Sequence, residues 1–285
     1  MIKKKRKKLF IILVIIASIA LFLYTQLNWI SVTKEDIYVK NLPSSFNGFK
    51  ILQLSDLHSK SFGNDSDGLI KKINKINPNI IVMTGDMRTN TPEDNGEVLI
   101  TLLENLNGEY PVYYVTGEHE EGKYFEDENK YMKEGTKETY EDRLEELGVI
   151  VLNDKKVQLD NGKEIINIYG LKEKLSGSIN IGDRLGESNP QEVNILLAHT
   201  PDHFNEYTGW GADVIFSGDK HGGLIRLPFV GGMISSDGTF FPEYDGGIYE
   251  NDNSTMVVSR GLGNYLINIR VFNRPEIVAT ILKNK

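Results

Sequence analysis

The chain repeats one unit of local order: a short apolar run with a carboxylate or an imidazole just past its end. Ile51-Leu52-Gln53-Leu54 leads into Asp56 and His58, Ile80 to Thr84 into Asp86, and Val112 to Val115 into Glu118 and His119. Val193 to Ala198 leads into His199, and Val214 to Phe216 into Asp219 and His221. Short apolar runs bounded by Gly, Pro, Asn and Asp are the signal of buried strands. Between the first two runs, Asp67 to Asn77 carries Leu69, Ile70, Ile73 and Ile76 at helical spacing and stops at Pro78. Further helices are predicted over about Glu93 to Leu106 and over Glu141–Leu147, and further strands near Val149–Leu152, Val157–Leu159, Ile165–Tyr169, Met256–Ser259 and Glu276–Leu282. Strand–helix alternation followed by denser strands predicts one α/β domain with two packed sheets. In open α/β sheets the ligand-binding loops converge at the carboxyl ends of the strands, which is where these ionisable residues fall.

A single Asp or His after a strand is ordinarily a turn or capping residue. Here the choice recurs at successive strand ends and takes four of the five histidines in the chain. The fifth, His203, reads as a surface or packing residue. Imidazole and carboxylate together form the ligand set for Zn, Mn, Fe or Ni. The chain has no cysteine, which excludes a disulfide framework, an iron–sulfur or Cys-ligated zinc site, and thiol catalysis. The oxygen-rich mix leans toward Mn or Fe, in a His/carboxylate site for two ions.

Charge is divided unevenly. Lys3, Lys4, Lys5, Arg6, Lys7 and Lys8 precede an uncharged stretch from Leu9 to Thr33, and without those six the chain has 26 basic against 40 acidic residues, a balance of −14. A body that acidic does not attract nucleic-acid backbones, so no nucleic acid is expected as a partner. Leu9 to Ile30 would extend roughly 33 Å as a helix, enough to cross a bilayer. The positive-inside rule puts residues 1–8 in the cytoplasm, 9–30 in the cytoplasmic membrane as a single-pass signal-anchor, and the remainder outside it. A cleaved signal peptide, with Ser18-Ile19-Ala20 as a small-x-small site, is the competing reading; the apolar run through Leu21, Phe22, Leu23 and Tyr24 favours the anchor. Residues 31–48 read as a linker, 49–285 as the domain, and the charge-dense Glu120 to Glu138 as a solvated surface loop or lid.

Ser55-Asp56-Leu57-His58, Thr84-Gly85-Asp86, Gly117-Glu118-His119, His199 and Gly218-Asp219-Lys220-His221 follow, in order, the D-x-H, G-D, G-N-H, H and G-H-x-H signature. The chain thereby resembles the calcineurin-like metallophosphoesterases, most closely their membrane-associated bacterial phosphodiesterase branch. Leu224-Ile225-Arg226-Leu227-Pro228, Ser259-Arg260-Gly261-Leu262-Gly263 and Asn273-Arg274-Pro275-Glu276 are also typical of that branch. The resemblance implies a four-layer α/β/β/α sandwich and a hydrolase of phosphodiester or phosphomonoester bonds. It assigns Asp56, His58 and His221 to one metal, Asp86 to a bridge, and Glu118, His199 and Asp219 to a second metal. His119 matches the histidine beside the leaving group.

Two positions depart from the signature, and both fall on the second metal: Glu118 stands for Asn and Asp219 for His. The extra carboxylates favour harder cations, so two divalent ions are expected, Mn²⁺ first, with Fe, Zn, Mg²⁺ or Ca²⁺ as alternatives at the second site. The same departures admit an alternative, a non-catalytic or single-metal ectodomain whose second site has decayed. A tethered site would meet lipid-linked or envelope phosphoesters first. The aromatics Phe229, Phe240, Phe241, Tyr244 and Tyr249 read either as an apolar wall for such a substrate or as a structural loop.

Overall fold

The computed structural model describes residues 2–89, 91, 94–122, 139–173, 179–227, 229–235, 238–251, 253–264 and 268–285, with side chains from residue 4 onward. Most of the predicted lid, residues 123–138, lies outside them. A first sheet has the strand order β1 (Ser31–Val39), β14 (Glu276–Asn284), β2 (Lys50–Leu54), β3 (Ile80–Thr84), β4 (Val112–Val115) and β5 (Val149–Val151). Within it β2 to β5 run parallel, and β14 is antiparallel to β2. The second sheet runs β12 (Gly247–Asn251), β13 (Ser254–Val258), β9 (Val214–Ser217), β8 (Asn194–Ala198), β7 (Ile165–Leu171) and β6 (Lys155–Asp160). Its central four strands are parallel, and the two edges are antiparallel.

Side-chain alternation along each strand sorts the core into layers. Leu52 and Leu54 of β2, with Ile81 and Met83 of β3, pack outward under α2 (Asp67–Ile76), α3 (Glu97–Leu106) and α4 (Tyr140–Glu146). Ile51, Ile80 and Val82 point the other way, against Ile195, Leu197 and Phe216 of the second sheet. Leu196 and Ala198 then face α5 (Ile181–Leu185) and α6 (Phe204–Trp210) through Ile181, Phe204 and Tyr207. Together they form a four-layer α/β/β/α sandwich. Buried Gln53 ties the sheets together near the strand ends, its Nε2 donating to Thr84 Oγ1 (3.0 Å) and to the Ser217 carbonyl (2.8 Å).

Two predicted boundaries shift. Helix α3 starts at Glu97; the predicted start at Glu93 lies outside the described residues, and the Asp94 carboxylate accepts from Thr89 N–H (2.6 Å) and Gly96 N–H (2.9 Å), holding a loop ahead of the helix. Residues 31–48 are not a free linker. Strand β1 pairs in parallel with β14 along its full length, from Ser31↔Glu276 to Val39↔Asn284, and buries Ile37 and Val39. Its sequence reads as polar because an edge strand wets one face. Removing residues 31–39 is therefore expected to destabilise the domain by about 3–6 kcal/mol from the two lost aliphatic burials alone, lowering Tm by roughly 10 °C or more in a thermal melt. An unchanged Tm would restore the linker reading.

Ahead of β1, α1 (Ile2–Asn28) already includes the basic residues in its first turns. It is long and apolar enough to cross a membrane, and its side chains from Leu9 to Ile16 are exposed.

Candidate metal centre

The loops after β2, β3, β4, β8 and β9 converge at one end of the sandwich. They bring Asp56, His58, Asp86, His119, His199 and His221 together, all buried. Three overlapping groups each place ligand atoms within 4.8 Å of one another: Asp56, His58 and His221; His58, Asp86 and His119; Asp56, Asp86 and His199. Asp86 Oδ2 lies 3.4 Å from His199 Nε2 and 3.8 Å from Nε2 of both His58 and His119. His221 Nε2 lies 3.5 Å from Asp56 Oδ1 and 3.0 Å from His58 Nε2. His199 Nδ1 sits 2.7 Å from the Thr84 carbonyl, which can only accept, so Nδ1 carries hydrogen and Nε2 faces Asp86.

The backbone is bent to present these groups. Asp56 (φ 49°), His58 (45°), Asp86 (53°), Asp219 (71°) and His221 (53°) all sit in the left-handed region. Such conformations cost about 1–3 kcal/mol each and cluster at functional sites. Gly85 (φ 88°) is required by space as well, since a Cβ there would come within 2.7 Å of His199 Nδ1.

Electrostatics agree with a site built around positive charge. Burial raises the Asp56 carboxyl to about 6, opposed chiefly by His199. Burial raises Asp86 too; His199 opposes this, while Glu120 and Asp56 add to it. Burial lowers His58 and His221, reinforced by neighbouring cationic groups. Burial alone would lower His199, but Asp86, Asp56 and Asp219 raise it well above the ordinary imidazole range. A dry pocket that strains both its carboxylates and its imidazoles is relieved when a divalent cation holds them in their ligating forms. The nitrogen and oxygen donors, with no sulfur, fit such ions.

The remaining predicted residues lie further out. Glu118 is half-buried and in none of the three groups. Asp219 donates its backbone N–H to Asp56 Oδ1 (3.1 Å), while its carboxylate pairs with Lys220 Nζ (2.9 Å), which also reaches Asp202 (2.7 Å). His203 stands apart, half-buried, 3.8 Å from Glu206.

Three further residues brace the site: Asn273, from a stretch already noted in the sequence, and Glu120 and Arg270, which none of the signature motifs marks. Glu120, expected in a solvated loop, is buried: Oε2 accepts from the N–H groups of Asp86 (2.9 Å) and Gly117 (2.9 Å), and Oε1 from Met87 (2.8 Å) and Arg88 (3.2 Å). It fastens the Asp86 loop to the His119 loop, which Asp86 Oδ1 also holds by accepting from His119 N–H (2.9 Å). The spacing from Gly117 to Glu120 is that of a capping box, which is the signal that could have revealed it. Buried Arg270 donates to the carbonyls of Arg260 (3.0 Å), Gly263 (2.6 Å) and Asn273 (3.3 Å). Asn273 Nδ2 in turn donates to the His221 carbonyl (2.7 Å), fixing that ligand loop.

Comparison with known proteins agrees with this geometry. The profile of the family described as Calcineurin-like phosphoesterase matches residues 49–223. The chain is similar to metallophosphoesterase YkuE of Bacillus subtilis, 29% identical over 266 residues that cover 92% of this chain and 88% of that protein. It is similar to UDP-2,3-diacylglucosamine pyrophosphatase LpxG of Chlamydia muridarum, 24% identical with 88% of each chain covered. A transmembrane protein with metallophosphoesterase domain from Danio rerio is 24% identical over 88% of this chain and 57% of its own length. A profile match across most of the sandwich, ending just past His221, makes this chain a member of the calcineurin-like phosphoesterase family, a hydrolase acting on phosphoester bonds.

Proposed function

We propose that the chain is a single-pass, membrane-anchored phosphoesterase that uses two divalent metal ions to cleave phosphodiester or phosphoanhydride bonds in lipid-linked substrates. The observation that carries this reading is the buried cluster around Asp86, which lies within 3.8 Å of three histidines. Asp56, His58 and His221 would hold one ion and Asp86 would be shared. His199, with Glu118 and Asp219 as outer carboxylates, would hold the other. Asp56 and Asp86, the two carboxylates grouped with His199, keep this end of the centre oxygen-rich and favour Mn²⁺ over softer ions. When bound, the ions neutralise charge on the phosphoryl oxygens and lower the pKa of the attacking water. Substrate choice rests on the LpxG relatives, whose named substrate carries acyl chains and a pyrophosphate, and on α1. Lys3–Lys8 support a cytoplasmic N-terminus with the catalytic domain outside the cytoplasmic membrane.

The test is hydrolysis of bis-p-nitrophenyl phosphate and p-nitrophenyl phosphate by the detergent-purified full chain with Mn²⁺, Zn²⁺, Mg²⁺, Ca²⁺ and Fe²⁺, alongside metal analysis. Turnover and two ions per chain are expected. No turnover with any metal would overturn the proposal.

His119 has a separate role, protonating the leaving oxygen; Asp86 Oδ1 accepts from its backbone N–H (2.9 Å), and Asp86 Oδ2 lies 3.8 Å from its Nε2. His119→Ala is expected to slow esters with alkyl leaving groups by about 10²-fold. It should affect p-nitrophenyl esters far less, since nitrophenolate needs no proton. Equal losses on both would remove His119 from proton transfer.

A further inference from the structure

Immediately after His221-Gly222-Gly223 the chain builds a small ladder beside the metal centre. Ile225 bridges Val271 on one side, and β10 (Arg226–Leu227) pairs with β11 (Gly231–Gly232) on the other. Ile234 then bridges Phe240. Four segments at strand spacing make a surface about 15 Å across.

This surface is unusually apolar for one facing water: Leu227, Phe229, Val230, Phe240, Phe241 and Phe272 are all exposed. Single exposed apolar residues are ordinary, but a contiguous group marks an interaction site. Phe229 (φ 66°), Phe241 (φ 51°) and Phe272 (φ 54°) adopt left-handed backbone that bulky residues rarely take. The other two aromatics of this region behave differently: Tyr244 and Tyr249 pack against the core around Phe204.

The ladder is continuous with α1. The Phe272 ring meets Phe22, inside the apolar span, edge-on at 5.4 Å. Arg274 lies over the Trp29 ring at 5.9 Å, just past the helix end. Lys60, two residues after His58, donates from Nζ to the Leu27 carbonyl at 2.5 Å and so joins the end of the helix to a ligand loop. Phe22 precedes Trp29 by seven residues, about 10 Å along a helix. Phe272 thus lies deeper along the helix than Arg274, an apolar ring below and a cation at the aromatic boundary, the order a bilayer interface selects.

We infer that this rim of exposed aliphatic and aromatic side chains sits in the headgroup and upper acyl region of the same bilayer that α1 crosses, holding the metal centre open toward the membrane surface. The inference rests on the reading of α1 as a membrane span. It adds that the catalytic domain lies on the bilayer rather than hanging from it. A lipid-linked phosphoester could then reach the ions while its acyl chains remain in the membrane.

The chain has no cysteine, so single cysteines introduce unambiguous spin labels. Full-length Phe229→Cys, Phe240→Cys and Phe272→Cys would be reconstituted in phosphatidylcholine/phosphatidylglycerol vesicles. Ile16→Cys in α1 reports the span. Lys163→Cys, exposed at the end of the sheets remote from the site, reports water. Collision with oxygen against a water-soluble nickel chelate reads depth. Labels at 229, 240 and 272 are expected to be oxygen-rich and nickel-protected, as at 16, with at least threefold lower nickel accessibility than at 163. If 16 is lipid-embedded while 229 and 240 match 163, the rim inference fails and the anchor stands. If 16 also matches 163, the membrane reading itself fails. Label–label dipolar coupling at 229 that persists on dilution into excess lipid would assign the rim to a second copy of the chain and overturn the inference.

Discussion

Asp86→Asn is expected to lower kcat/KM by about 10³-fold or more while leaving the fold intact. An oxygen of Asp86 lies within 3.8 Å of His58, His119 and His199, so its charge would support both proposed ions. The amide keeps an oxygen for His119 N–H, so the local chain path survives. Burial disfavours charge on His199, and Asp86 is the foremost of the three carboxylates that favour it, so the amide shifts this imidazole toward its neutral form. The variant should therefore melt close to the metal-free parent. The distinguishing measurement is the response to metal. An ion at one hundred times its Kd stabilises the parent by about 2.7 kcal/mol, or roughly 5–10 °C in Tm, and chelation should remove that increment. Asp86→Asn should show little of it and should carry at most one ion per chain. A variant that kept both ions and full turnover would remove Asp86 from the centre.

The second large effect is structural. Glu120→Ala would leave the amides of Asp86, Met87, Arg88 and Gly117 without their acceptor in a buried loop pair. An unsatisfied buried amide costs about 1–3 kcal/mol, and water entering the space left by the side chain offsets part of it. A net loss of about 4 kcal/mol is expected, lowering Tm by roughly 10 °C in a domain of this size. Activity should fall as well, because the loops carrying Asp86 and His119 lose their common tie. Glu120→Gln should fall between parent and alanine, since its carbonyl can accept two of the amides while its NH₂ opposes the others. If the alanine variant melts with the parent, Glu120 is a bystander.

Much of the candidate site was legible because residue type and strand position are local properties. Asp56, His58, Asp86, His119, His199 and His221 each follow an apolar strand, and strand ends meet in this architecture. Glu118 and Asp219 share that position in sequence, yet Asp219 turns its carboxylate to Lys220, and Glu118 joins none of the ligand groups. Where a side chain points depends on φ and on its neighbours, and neither has a sequence signal at these turns. Glu120 was hidden by composition: it opens a run of charge that reads as solvated, and only the folded loops supply the four amides that make its burial favourable.

The sequence by itself determined the alternation of strands and helices, the nitrogen and oxygen character of the centre, the missing thiolates, and an N-terminal apolar stretch of membrane-spanning length. Each of these follows from periodicity or residue chemistry over a few consecutive positions. The tertiary structure decided the rest. It turned Ser31–Val39 from connector into edge strand by pairing it with a strand some 245 residues later. It set Arg270 and Asn273 beneath the ligand loops and brought Phe272 against the helix that begins the chain. Those contacts join segments far apart in sequence, and their energies exist only once the chain has closed on itself.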